Sequence, residues 1–175
     1  MIPIIRKILY ATDLSPNSSY AFRYAINFAN KHDAKIIILH VFESMTPAVF
    51  TQMVYLDDEK RKKNYDDRIS YTHDRINKRL RTFSDKELKD YPKAEDRIES
   101  IQICEGFPAD MILSKANELE CDAIVMGTHG KGIIANTFLG SVTKRVLRRA
   151  RKPLLIIPLP KGEIDLTVHD ELVSI

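Results

Sequence analysis

Residues 122–143 read Asp122-Ala-Ile-Val-Met-Gly127-Thr-His-Gly130-Lys-Gly-Ile-Ile-Ala-Asn-Thr-Phe-Leu-Gly140-Ser141-Val-Thr143. An apolar run of strand length passes into a glycine-rich turn, and the turn opens into a helix predicted over 141–151. In that order these parts make a natural anion site. A helix start carries N–H groups without carbonyl partners and the positive end of the peptide dipole. Glycines let the backbone approach a phosphate with no Cβ in the way. The hydroxyls of Ser141 and Thr143 can add hydrogen bonds. The stretch is not a Walker loop, which needs Lys-Ser/Thr after its last glycine; here Gly140 is followed by Ser-Val. Nor is it the dinucleotide fingerprint, which belongs after the first strand. The first turn, Ala11-Thr-Asp13-Leu-Ser15, has no glycine.

Four further apolar runs lie at 5–12, 35–42, 98–104 and 153–158, and helix-like segments separate them. Strands alternating with helices indicate βαβ units and a mainly parallel sheet with right-handed crossovers. The second, fourth and fifth runs are continuously apolar, as strands covered on both faces should be. The third alternates around Gln102, which suits an edge strand. The prediction is an open, doubly wound, five-stranded parallel α/β sheet of order 3-2-1-4-5 with helices on both faces. In such a sheet ligands bind at the carboxyl ends of the strands where the order reverses, between strands one and four. Asp13 and Gly127 end those two strands, so both polar turns converge there.

The helices are equally legible. Ser15 can cap the first and Pro16 fits its first turn, with Ala21, Ala25, Phe28 and Ala29 on one face. Pro108 opens another, lined by Ala109, Ile112, Ala116 and Leu119. Between strands two and three, a loop around Pro47 leads into one long amphipathic helix. Its stripe is Tyr65, Ile69, Thr72, Ile76, Leu80 and Phe83. No repeat or linker divides the chain, so 1–160 reads as one domain and 161–175 as a C-terminal extension. There Ile164, Leu166 and Val168 alternate with Asp165, Thr167 and His169, the period of one more strand or an extension beyond the fold.

Apolar residues make up 44% and charged residues 29%, ordinary for a globular protein. No apolar run is long enough to span a bilayer, and the N-terminus has no secretory pattern. The two cysteines, Cys104 and Cys121, have neither metal-ligand spacing nor the number a disulfide framework needs; a cytoplasmic location is expected. A net charge of +3 argues against an obligate nucleic-acid binder.

The pattern Gly127, Gly130, Gly140-Ser141 resembles the ATP-binding motif of the universal stress protein family without a departure. The first strand and its acidic turn (7–15), Leu39-His40-Val41, residues 122–130 and Pro153-Leu-Leu-Ile-Ile-Pro158 resemble further segments of that family in the right order. The likeness runs over about residues 5–158. It implies an adenine nucleotide, ATP or else ADP or AMP, with Mg or Mn held on the phosphates by Asp13. It implies a backbone contact from Val41 to adenine. Ala11, Thr12, Asp13, Met126 and Gly127 would lie at the adenosine end. Gly130, Gly140, Ser141, Val142 and Thr143 would hold the phosphates. It also points to a homodimer paired through 153–158, whose apolar edge needs covering, and to an unnamed protein partner of a stress-response regulator.

Plainer readings stand beside these. Asp13 can cap its own turn. His129 can touch a phosphate, though a loop histidine is more often solvated, and Lys131 needs no function. His40 reads as a packed, hydrogen-bonded core histidine. The cationic run Lys144-Arg-Val-Leu-Arg148-Arg149-Ala-Arg151-Lys152 complements a helix C-terminus; no aromatics interleave it as in a nucleic-acid surface. No Ser-His-Asp set, paired carboxylates or HExxH suggests efficient catalysis. The alternative function is a slow ATPase, or transfer to the chain's own Ser or Thr, at the same site.

Overall fold

The computed structural model describes residues 2–43, 58–87, 95–128 and 139–158. In chain order the elements are β1 (Lys7–Thr12), α1 (Pro16–His32), β2 (Lys35–Phe42), α2 (Asp58–Glu87), a 3-10 turn (Glu95–Arg97), β3 (Ile98–Glu105), α3 (Pro108–Glu118), β4 (Ala123–Gly127), α4 (Ser141–Arg149) and β5 (Leu154–Ile157). The sheet is five-stranded, ordered β3-β2-β1-β4-β5, and every pairing is parallel. Expected His129, Gly130 and Lys131, the loop around Pro47 and the strand-like tail at 161–175 lie outside the described residues.

Alternation along the strands builds two cores, one per face. Ile8, Tyr10, Ile36, Ile38 and Val125 pack with Ala21, Phe22, Ala25, Ile26 and Ala29 of α1, and Ile76 of α2 joins them. Leu9, Ala11, Ile37, Leu39, Ile124 and Met126 point the other way, onto Ala109, Ile112 and Ala116 of α3 and Val146 of α4. The β1 and β4 starts are tied by Asp122, whose Oδ2 accepts the Arg6 and Lys7 amides at 2.8 and 2.9 Å.

Among the described side chains of the α2 stripe, which do not include Leu80 and Phe83, burial is shallower than the periodicity suggests. Ile76 is buried, Ile69 and Thr72 are half-buried and Tyr65 is exposed. Tyr65 and Arg68 instead lie against the ring of Phe42, at the end of β2. A helix this charged gains little from deep burial and rests along the β3 edge of the sheet.

Candidate functional site

The site forms where the ladder between β1 and β4 opens. Their pairing covers Ile8, Leu9 and Tyr10 against Ala123, Ile124 and Val125 and goes no further. Beyond it each strand keeps only its outer neighbour. Ala11 and Thr12 pair with Leu39 and His40 of β2. Met126 and Gly127 pair with Ile156 and Ile157 of β5. Val41 and Phe42 continue past the last β1 partner and pair only with Cys104 and Glu105. Three strand ends thus turn backbone edges toward one crevice at the reversal of strand order, the usual ligand position in an open α/β sheet.

The turn after β1 closes on itself. The Asp13 carboxylate Oδ1 accepts the Ser15 amide at 3.0 Å and the Ser15 hydroxyl at 2.6 Å, an Asx turn. Thr12 Oγ1 accepts the Leu14 amide at 3.1 Å and donates to Ser18 Oγ at 2.9 Å, which donates on to the Ser15 carbonyl. Ser15 Oγ caps α1 by accepting the Ser18 amide. Leu14 takes a left-handed φ of 61° while its side chain is buried. That conformation is costly for a residue with a branched side chain and is held here by the Thr12 bond and the core. Residue type gave no hint of it, since neither Gly nor Asn stands there. His40 is buried, and its Nδ1 lies 2.8 Å from the Thr12 carbonyl, the packed role expected of it.

The end of β4 is built differently. The Thr128 amide donates to Ile157 O at 2.9 Å, and the Gly140 amide donates to Thr128 O at 2.8 Å, which fixes both ends of the loop against the sheet. Thr128 was missed in the sequence; only its place between Gly127 and His129 marks it. Gly140 is the N-cap of α4, with φ −64° and ψ 161° and no side-chain cap. Any residue adopts that backbone, so what glycine supplies here is the missing Cβ. The first helical bond is Lys144 N to Gly140 O at 2.9 Å. Among the described residues no acceptor meets the amides of Ser141, Val142 and Thr143. Ser141 is exposed and Val142 half-buried. Thr143 is buried, and its hydroxyl donates to the Gly127 carbonyl at 3.0 Å, fastening the helix start to the strand end.

Of the expected residues, Ala11 and Thr12 end β1, Asp13 follows in its turn, Met126 and Gly127 end β4, and Gly140, Ser141, Val142 and Thr143 form the start of α4, all beside one crevice with Val41 on the adjoining strand end; Ala11 and Met126 are buried in the core. The bare helix start and the side-chain-free approach at Gly140 fit an anionic phosphate chain. No group of three or more His, Cys, Asp or Glu able to hold a metal occurs among the described residues. A cation would rely on Asp13, phosphate oxygens and water, the manner in which Mg²⁺ is usually held. Burial pushes the Cys121 thiol up to about 11 and raises that of Cys104, so neither is a ready nucleophile near neutral pH.

The fold and site define a doubly wound α/β protein with a strand-reversal crevice closed by a glycine-flanked helix start. The family model described as "Universal stress protein family" matches residues 5–158, and the chain belongs to that family. Universal stress protein MJ0531 of Methanocaldococcus jannaschii is 31% identical over 163 residues, covering 91% of this chain and 86% of the relative. The solved structure of universal stress protein UspA from Lactobacillus plantarum superposes with a TM-score of 0.66 at 23% identity, covering 89% of this chain and 99% of that one. A universal stress protein solved in complex with cAMP superposes with a TM-score of 0.52 at 22% identity, covering 89% and 98%. None of the described helices is long and apolar enough to cross a membrane.

Proposed function

We propose that this chain is a stress-response regulator that binds an adenine nucleotide, ATP with ADP or AMP as lesser occupants, in the crevice between β1 and β4. The observation that carries this reading is the early end of the β1–β4 ladder beside an uncapped helix start. The cAMP complex of a structural relative supports the adenine class. The backbone of Val41 meets adenine. Ala11, Thr12, Asp13, Met126 and Gly127 surround the adenosine. Gly140, Ser141, Val142 and Thr143 hold the phosphates together with His129 and Gly130. Asp13 supplies the protein's ligand to Mg or Mn. Free Cys104 and Cys121 suit a reducing cytoplasm. The test is to denature the purified protein, identify any released small molecule by mass spectrometry, and measure ATP and GTP binding to the emptied protein by calorimetry. An adenine nucleotide and a preference for ATP are expected; equal affinity for GTP or no binding overturns the assignment.

The same reading includes a homodimer through β5. Leu154, Leu155 and Ile156 are half-buried at the sheet edge, and an apolar edge strand invites pairing. Two copies about a two-fold axis would cover both edges at once. Light scattering should give a dimer mass, and Ile156→Asp should shift it to monomer. A wild-type monomer at micromolar concentration removes the interface.

A further inference from the structure

The cationic run at 144–152 has no part in the nucleotide site. Arg148, Arg149, Arg151 and Lys152 border a groove of about 600 Å³ that half-buried Leu113 lines and that reaches down to the fully buried Ile124. The helix dipole explains only part of this. α4 ends at Arg149, so Arg148 and Arg149 occupy its last turn, whereas Arg151 and Lys152 lie beyond it. Among the described residues one carboxylate, Asp110, forms an ion pair with the group, through Arg149. The cations thus outnumber their acidic partner around a concave, partly apolar surface.

We propose that this groove docks an acidic segment of a partner protein, with its carboxylates on the arginines and an apolar side chain against Leu113. Three of the four cations are arginine, whose planar fork binds carboxylates in pairs. Half-buried Leu113 gives an apolar peptide side chain a place that a phosphate backbone does not use. Among the described residues no aromatic side chain lines the groove to stack a base. Ile124 is near the start of β4, and the loop leaves from its other end at Gly127. Nine-residue α4, about 13 Å long, therefore has the crevice at its first residue and the groove at its last. An occupant of the groove does not compete with a nucleotide and touches the helix that would hold the phosphates. Only that last point rests on the nucleotide reading.

The experiment uses the full chain without added nucleotide and a short fluorescent peptide alternating Glu and Leu, followed by anisotropy. Binding at low salt that weakens at physiological salt is expected. Arg148→Glu with Arg151→Glu should lower affinity at least about tenfold, while Lys31→Glu with Lys63→Glu, equal in charge but remote, should change it little. Should the first pair disturb folding by circular dichroism, Arg148→Gln with Arg151→Gln repeats the test. Absence of peptide binding, or equal losses from both pairs, overturns the proposal. So does tighter binding of a short duplex DNA through the same arginines. The chain's own residues Glu163, Asp165, Asp170 and Glu171 provide a last arm. Peptide binding that emerges only when all four are changed to amides makes the chain's own end the occupant and overturns a partner. ATP calorimetry on the same variants is expected to match wild type, so the two readings fail separately.

Discussion

Two helices start beside the same crevice and finish their N-termini in opposite ways. α1 is closed by its own chain: Thr12, Asp13, Ser15 and Ser18 exchange hydrogen bonds until its entry turn is satisfied locally. α4 begins at a glycine with no side-chain cap. Both ends carry the same dipole and the same backbone donors. The one saturated by hydroxyls and a carboxylate has little left to offer an anion, and the one left bare does. A bare start alone does not single out α4, since α3 also begins, at Phe107, without a side-chain cap; α4 alone of the two follows β4, at the reversal of strand order.

The sharpest way to break the comparison is Gly140→Val. The backbone at Gly140 accepts a side chain, so melting should change little, while a Cβ branch enters the space assigned to phosphate. ATP affinity should fall about a hundredfold, roughly 2.7 kcal/mol, read by calorimetry. Equal affinity in wild type and variant would move the site elsewhere. Next is Asp13→Asn, which keeps an oxygen for the Asx turn and removes the charge. Affinity for ATP with Mg²⁺ should drop about tenfold, and affinity without metal much less, since the lost term is a charge–metal contact. Equal losses in both conditions would leave Asp13 as a turn residue alone.

Two smaller effects test the structural side. Thr143→Val deletes the hydroxyl that donates to Gly127 and leaves that carbonyl without it, which should cost about 1–2 kcal/mol in urea unfolding; Thr143→Ser should recover most of it. Ser15→Ala should cost about 1 kcal/mol of stability through the lost cap and leave ATP affinity nearly unchanged. A large affinity loss from Ser15→Ala would mean that the α1 start also serves the ligand, and the contrast between the two helices would fail.

Much of this could be read in the residues. Continuous apolar runs gave the strands, and the glycines of 127–140 marked the loop. Element ends moved for identifiable reasons. β1 begins at Lys7 rather than Ile5, where its ladder with Lys35 starts. β5 is confined to Leu154–Ile157 between two prolines that cannot donate. Phe22 and Ile26 are buried beside the expected alanines of α1 because the helix packs across several strands and needs a wider stripe. The early parting of β1 and β4, the left-handed Leu14 and the Thr143 bond were not legible. The parting of the strands and the Thr143 bond each depend on two distant segments meeting, and Leu14 is held by a Thr12 bond and core packing that its residue type does not announce.

The junction of β1 with β4 also has a consequence for biosynthesis. Lys7 and Asp122, which bond at the start of that junction, are 115 residues apart in the chain. At synthesis rates of about 5–20 residues per second, the first strand waits roughly ten seconds for its central neighbour to be made. During that interval β1 has only β2 beside it among its eventual sheet partners, and its other edge is open. The crevice comes into being only when the late half arrives. Any ligand held in that crevice would therefore stabilise the completed fold and not its first steps.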